Sequence, residues 1–448
     1  MVINPKIFKA YDIRGIYPDE INEDVAYRIG RAFAVFSGAQ KIIVGRDCRV
    51  SGPVLHASLI KGIIEQGADV LDIGQVSTDM FYHACGSQHL SGIIVTASHN
   101  PAEYNGFKLV KKMPDLVSGE DFWDAAMGTE PPALSKKGSV SELDIRDEYK
   151  KKMRSLVDLS VIPQGLKIVV DPANGMGGVA YDIAYAGLPV NTVKLFFEPD
   201  GTFPNHGGDP MKEDNRRDLE AKVREVDANL GFAFDTDADR FFAVDATGEY
   251  VPNDFLGALL AKYLIEKHGG GTIVTDALIG WAMRDLAKAA GGSVYMSRVG
   301  HVFIKREMDK NKAILGVEKS GHYYLSDFYC AESAVGTSLM LLEMLGHYQK
   351  PLHELVAPLR AKYHMIEQIN SEVPDPDAVF ARVKAAYQPT CEIQELDGIS
   401  IIADNWHANV RKSNTEPVVR LNVEALDDRG LMAEKRDDLL KLIQNPSS

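Results

Sequence analysis

Ile42-Ile43-Val44-Gly45-Arg46-Asp47 reads as a short buried strand that ends in an aspartate, and the chain uses this pattern three times. The other copies are Ile168-Val169-Val170-Asp171 and Ile273-Val274-Thr275-Asp276. A recurring supersecondary unit decides the architecture before any motif is weighed. A helical pattern follows each copy; after the first, Leu55, Leu59, Ile63 and Ile64 share one apolar face. Each helix is predicted to stop at a glycine, Gly67, Gly187 or Gly291, the residue that tolerates the left-handed turn closing a helix. A second strand then begins at Val70, Val190 or Val294. Later in each unit a third apolar run opens into a polar loop. These are Ile93-Ile94-Val95 before T-A-S-H-N-P, Gly231-Phe232-Ala233-Phe234 before D-T-D-A-D-R, and Ile314-Leu315-Gly316-Val317 before E-K-S-G-H.

Strand–helix–strand order implies an α/β fold with parallel pairing, in which functional loops collect beyond the carboxyl ends of the strands. The predicted architecture is three tandem related α/β domains with mixed sheets plus a C-terminal α+β domain, arranged around one central cleft. The expected boundaries are 1–146, 147–250, 251–366 and 367–448. Residues 112–145, rich in Pro, Gly, Ser and charge, read as a loop closing the first unit. The last unit does not repeat the others. It shows a helical pattern over 377–387, strand-like runs near 399–402 and 418–423, and a charged final helix.

Composition is that of an ordinary globular chain of 448 residues. A net charge of −14 argues against a nucleic-acid or acidic-membrane binder, so any phosphate chemistry must rest on local positive charge. Cys48, Cys85, Cys330 and Cys391 lie far apart, with neither zinc-site nor disulfide-framework spacing. The N-terminus lacks a signal peptide's apolar core, and no uncharged apolar run approaches the roughly 18 residues of a membrane helix. A cytoplasmic protein is expected, with the oligomeric state open and a monomer the simpler case.

Four loops could carry chemistry. Ser98 lies where a buried strand turns toward Pro101, and reads as the cap of a following helix whose free N–H groups would also suit a phosphate. Asp235, Asp237 and Asp239 alternate, which in extended chain sets three carboxylates on one side. Their mutual repulsion calls for a hard divalent cation, and an all-oxygen set without His or Cys points to Mg²⁺, with Mn²⁺ possible. Arg240 and Ala246 stand where a calcium-binding EF-hand needs Gly and Glu. Glu318, Ser320 and His322, with Gly321 at the bend, form either a hydroxyl-reading loop or a plain polar turn. His301 follows Arg298-Val299-Gly300, and a lone His is more often structural. Arg411, Lys412, Ser413, Asn414 and Thr415 gather two cations and three hydrogen-bonding side chains, fit to cradle a phosphate. The glycines of Gly175-Met176-Gly177-Gly178-Val179-Ala180 read as a structural turn, and no P-loop signature occurs.

Taken together, these motifs resemble the α-D-phosphohexomutase family, within it the phosphomannomutase/phosphoglucomutase branch, along the whole chain. The resemblance implies an intramolecular phosphotransferase, an isomerase of carbohydrate metabolism that interconverts hexose 1- and 6-phosphates. It implies a phosphorylated nucleophile at Ser98 and a Mg²⁺ site at Asp235, Asp237 and Asp239, with Ser98 as a further ligand. Arg240, and His99 beside the serine, would face phosphoserine or substrate. Glu318, Ser320 and His322 would read the sugar, and Arg411, Ser413, Asn414 and Thr415 would hold the non-reacting phosphate. From Y-D-I-R-G come Tyr11 and Arg14, and from N-G-F-K comes Lys108. Arg14, Lys108 and His301 are the implied candidates for proton transfer and for steadying the transferred group, with a hexose 1,6-bisphosphate as activator. Thr236, Ala238, Lys319 and Val317 depart from the usual pattern, and Lys319 bears on hexose preference. Three alternatives stay open: a phosphoglucosamine mutase, an aspartyl-phosphate phosphotransferase built on Asp235-Thr236-Asp237, and a non-catalytic sugar-phosphate sensor.

Overall fold

The structure, a computed structural model, describes residues 3–128, 134–366, 368–412 and 418–444. The three repeats fold into the same sheet. In the first, strand Lys41–Arg46 lies between Asp69–Gln75 and Ser91–Val95, parallel to both, and Tyr104–Lys112 runs back antiparallel beside Ser91–Val95. In the second, Leu166–Asp171 lies between Val190–Lys194 and Leu230–Phe234, with Phe241–Val244 returning antiparallel. In the third, Thr272–Asp276 lies between Ser293–Ser297 and Leu315–Val317, with Tyr323–Leu325 returning antiparallel. The first strand is central each time because it pairs on both edges, which explains its continuous apolar run. Gly67, Gly187 and Gly291 all take the left-handed conformation, at φ 80°, 83° and 83°.

Two local expectations fail. Residues 112–145 are not a plain loop: they hold strand Asp115–Val117, helix Gly119–Met127 and strand Val140–Glu142. Ser118 starts that helix with a reciprocal capping box to Asp121, a local signal able to nucleate a helix in a segment poor in apolar residues. The chain after Ser98 forms no helix; it turns straight back into Tyr104–Lys112.

The fourth unit is a six-stranded antiparallel sheet backed by helices Pro376–Tyr387 and Arg429–Gln444. One continuous apolar cluster runs through units 1 to 3, from Ile43 and Phe81 through Ile168 and Phe232 to Leu256 and Leu315. Unit 4 has its own, from Val379 to Ile443. The seam between units 3 and 4 carries polar contacts. Glu424 accepts the N–H of Trp281 at 3.1 Å and pairs with His407 at 2.7 Å, and Asp397 accepts the N–H of Val299 at 2.8 Å. Among the described residues no helix is long and apolar enough to cross a membrane.

Candidate active site

Ser98 is buried in a turn with φ +48°, a conformation that costs a non-glycine residue about 1 kcal/mol or more. The surroundings over-determine it. The fully buried guanidinium of Arg49 donates to four carbonyls, those of Ser98 at 2.5 Å, Asn100 at 2.6 Å, Pro101 at 2.7 Å and Tyr104 at 2.8 Å. Thr96 accepts the Ser98 N–H at 3.0 Å, and Thr236 of unit 2 donates to the Ser98 carbonyl. In place of the predicted helix, Arg49 fixes the backbone around the serine. Sequence reading missed it, although Asp47-Cys48-Arg49 directly after the strand has no counterpart cation in Asp171-Pro172-Ala173 or Asp276-Ala277-Leu278. The Ser98 hydroxyl is left to face Asp235 Oδ2 at 2.9 Å and His99 Nδ1 at 3.2 Å. Burial, then the charges of Arg240 and Arg14, push His99 well below the ordinary imidazole range.

The three aspartates converge, but by a turn rather than an extended run, with Ala238 at φ +61°. Gly175 lets the neighbouring loop pack on this turn, since a Cβ there would strike the Thr236 backbone. One oxygen from each carboxylate lies within 4.8 Å of the others, and all three side chains are buried. Asp235 Oδ1 accepts the N–H groups of Asp239 and Arg240 at 3.1 Å each. Asp237 Oδ2 takes Lys108 at 2.7 Å and Thr78 at 2.6 Å, and Lys108 also reaches Asp239. Asp237 Oδ1 is buried with no hydrogen-bond partner, and Asp239 Oδ1 has only His322 at 3.4 Å. Burial, then the charges of Asp239 and Asp237, hold Asp235 well above the usual carboxylate range. One lysine does not satisfy three buried carboxylates, and an orphaned oxygen in an all-oxygen set is what a hard divalent cation fits.

Unit 3 closes against this loop. The backbones of Arg240 and His322 pair antiparallel, Phe241 N–H donates to the Gly321 carbonyl at 3.0 Å, and Arg240 Nε lies 3.4 Å from His322 Nε2. Ser320 Oγ lies 2.8 Å from His322 Nδ1. Glu318 turns inward, accepting Gly300 N–H at 2.7 Å and the Tyr324 hydroxyl at 2.5 Å. Lys319 pairs with Asp254 at 2.8 Å, so its charge is neutralised within unit 3. From unit 1, Arg14 bonds Asp12 at 2.7 Å and Asn100 at 2.8 Å, and the Tyr11 hydroxyl donates to the Val299 carbonyl at 3.0 Å. His301 opens helix His301–Asn311 beside that contact, its Nε2 3.2 Å from the Tyr11 carbonyl. Buried Arg411, last but one in strand Trp406–Lys412, lies 3.9 Å from Asp397, the residue that holds Val299. Ser413, Asn414 and Thr415 lie outside the described residues.

Contacts thus link every described candidate residue into one region fed by all four units. Consecutive segments match the four domains of one family: phosphoglucomutase/phosphomannomutase alpha/beta/alpha domain I over residues 5–119, domain II over 147–248, domain III over 252–363 and the C-terminal domain over 369–442. The chain belongs to the phosphoglucomutase/phosphomannomutase family. It is 38% identical over 452 residues to a phosphomannomutase of Escherichia coli, covering 98% of this chain and 99% of that one. It is 36% identical over 445 residues to a protein of Xanthomonas campestris named phosphohexose mutases, covering 98% and 99%. A phosphoglucomutase/phosphomannomutase family protein from Burkholderia thailandensis superposes with a TM-score of 0.90 at 30% identity, covering all of this chain and 98% of that one. An N-acetylphosphoglucosamine mutase of Aspergillus fumigatus, solved with GlcNAc-6P and magnesium, shares the fold at a TM-score of 0.64 and 13% identity, over 100% of this chain and 97% of that one. Within the family, then, this chain is a phosphotransferase isomerase.

Proposed function

We propose that this phosphohexomutase carries its transferable phosphoryl group on Ser98 and interconverts the 1- and 6-phosphates of mannose, glucose or both. The observation that carries the reading is the Ser98 hydroxyl, 2.9 Å from Asp235 and set among three buried aspartates with an oxygen left unpartnered. A hydroxyl of the bound hexose phosphate attacks phosphorus; the bond to Ser98 Oγ breaks as the bond to the sugar oxygen forms. Protons balance, because the sugar hydroxyl gives up one and the Ser98 hydroxyl receives one. The resulting 1,6-bisphosphate turns over, and its other phosphate returns to Ser98; a trace of bisphosphate is the expected activator.

Arg14, Lys108 and Arg240 supply the positive charge that an otherwise acidic chain needs around a dianion. Burial alone would lower Lys108, but Asp237 and Asp239 more than offset it and keep the ammonium charged. His301 is the candidate proton acceptor. Tyr11, His99, Glu318, Ser320 and His322 line the sugar side, and Arg411 with Ser413, Asn414 and Thr415 cradles the non-reacting phosphate. Asp235, Asp237, Asp239 and Ser98 would hold Mg²⁺, which when bound neutralises charge on phosphoryl oxygens. Pairing of Lys319 with Asp254 takes its charge out of play, so this departure from the usual sugar loop does not by itself set the hexose preference. The expected compartment is the cytoplasm.

The test is intact mass with peptide mapping, followed by coupled turnover of mannose 1-phosphate and glucose 1-phosphate. Acid-stable phosphate on Ser98, and loss of turnover to background in Ser98→Ala, are expected. Hydroxylamine-labile phosphate on Asp235 would overturn the reading in favour of an aspartyl-phosphate enzyme. Phosphate on Ser98 with turnover of glucosamine 1-phosphate alone would point to a phosphoglucosamine mutase, and with turnover of no hexose phosphate to a sensor.

A further inference from the structure

Behind His301, on the side away from Tyr11, lies a buried ion pair for which the mechanism above has no use. Glu332 and Lys305 are each 1% exposed and meet at 2.6 Å. Glu332 sits on strand Ala331–Glu332, and Lys305 is one turn along the helix that His301 begins. The Tyr82 hydroxyl, from helix Thr78–Gln88 of unit 1, donates to Glu332 Oε1 at 3.2 Å, and Lys305 Nζ stands 4.3 Å from the centre of the Tyr82 ring. An isolated buried ion pair gives little net stability, so geometry has to account for this one.

A carbonyl oxygen only accepts, so His301 Nε2, 3.2 Å from the Tyr11 carbonyl, carries the proton of the neutral ring. The lone pair then lies on Nδ1. That atom is buried without a hydrogen-bond partner and faces Glu332 Oε1 at 3.9 Å. Lone pair and carboxylate repel each other; a proton arriving on Nδ1 turns the repulsion into attraction. Lys305, on the same carboxylate, works the other way. Resting on the reading of His301 as the proton acceptor, we propose that Glu332 and Lys305 are positioning residues of opposite sign that set how readily His301 takes up the sugar hydroxyl's proton.

The charges that bear most on the ring fit this. Burial, aided by Lys305 and Lys108 and offset only in part by Glu332 and Asp12, holds His301 down at about 4. Burial would raise Glu332, but the paired ammonium of Lys305 holds it below the usual range, so the carboxylate stays charged. The ring is therefore neutral in the resting enzyme and gains a counter-charge as it is protonated.

The experiment follows the His301 Cε1–H signal by NMR from pH 2.5 to 8, assigned with His301→Asn, alongside the pH profile of kcat/KM. Glu332→Gln is expected to move both the His301 midpoint and the acid limb of the profile to lower pH. Lys305→Met is expected to move both to higher pH, by about one unit, tenfold in proton affinity. The double variant, which leaves neither charge buried alone and so guards against misfolding of the singles, is expected between them. Glu332→Asp should recover part of the wild-type profile. Midpoints that stay put, or move in the same direction in both singles, overturn the proposal. Full turnover in His301→Asn would instead remove His301 from the chemistry, while the NMR midpoints still judge the pair.

Discussion

Asp47, Asp171 and Asp276 hold one position in the three repeats, and the first half of each carboxylate does the same thing. Each stands at the end of the central strand of its sheet, Asp47 just past it, and accepts the N–H two residues further on at 2.9 Å, closing the loop beyond the strand. The second oxygens differ. Asp47 meets Arg49 at 3.3 Å, both buried, and Asp171 meets His206 at 3.0 Å. Asp276 takes only a backbone N–H, that of Lys319 at 3.0 Å, and stands near the carboxylates of Glu318 and Asp254. The turn is thus a property of the repeat, whereas the charge beside it belongs to each unit. In unit 1 that charge was turned to use, because Arg49 grips the Ser98 loop. In unit 3 the same acid lies against the sugar-side loop, where the nearby ammonium of Lys319 pairs with Asp254 instead.

The comparison breaks first, if it breaks, at Asp47. Asp47→Asn keeps the turn but leaves Arg49 buried without its counter-charge, so a loss of about 3–5 kcal/mol is expected in denaturant unfolding. Turnover should fall as well, since the Ser98 loop loses its anchor. A loss under about 1 kcal/mol with full turnover would mean that Asp47 only closes a loop. Asp171→Asn comes next, at about 2 kcal/mol near pH 6, from the charged hydrogen bond to His206. Burial lowers His206, but Asp171 more than offsets this and holds it above the ordinary imidazole value. Its contribution is complete below pH 6.5 and fades as pH rises through the higher folded value, so the variant should lose less at pH 8 than at pH 6. An equal loss at both pH values would mean that the pair carries no charge.

What the sequence made legible follows from how local each signal is. The repeat was readable because an apolar strand, a glycine stop and a polar loop each occupy adjacent residues. The aspartates of 235–239 were readable as a group even though their backbone turns, because five residues cannot carry three carboxylates far apart. Ser98 was legible as a candidate nucleophile through the family resemblance but not in its conformation, since its turn is imposed by Arg49, 49 residues earlier, and by Thr236 of another unit. Lys319 looked like an added cation on the sugar loop; its partner Asp254 lies 65 residues earlier. Glu332 and Lys305 gave no signal, because neither stands in a motif and their meaning comes from packing against His301. Helix Gly119–Met127 had a local signal, the Ser118–Asp121 capping box, lost in a stretch of Pro, Gly and charge.

The smallest effect, and the sharpest test of the comparison, belongs to Asp276. Burial, then the charge of Glu318, raises it to about 7. A carboxyl that holds its proton more tightly folded than unfolded contributes fully below the unfolded value, near pH 4, and the contribution is lost as pH rises through 7. Asp276→Asn keeps the loop-closing acceptor and leaves only the Lys319 N–H without one, a cost of about 1 kcal/mol at pH 5. That deficit should shrink and then reverse toward pH 8, where the wild-type acid must ionise among other carboxylates and the amide need not. Burial raises Asp47 too, in spite of Arg49, but Asp47→Asn is expected to stay behind the wild type at every pH, because Arg49 is left buried without its counter-charge. Urea melts of the two variants and the wild type at pH 5, 6.5 and 8 read this directly. If Asp276→Asn falls progressively further behind the wild type as pH rises, Asp276 is a charged partner like Asp47, and the distinction between units 1 and 3 fails.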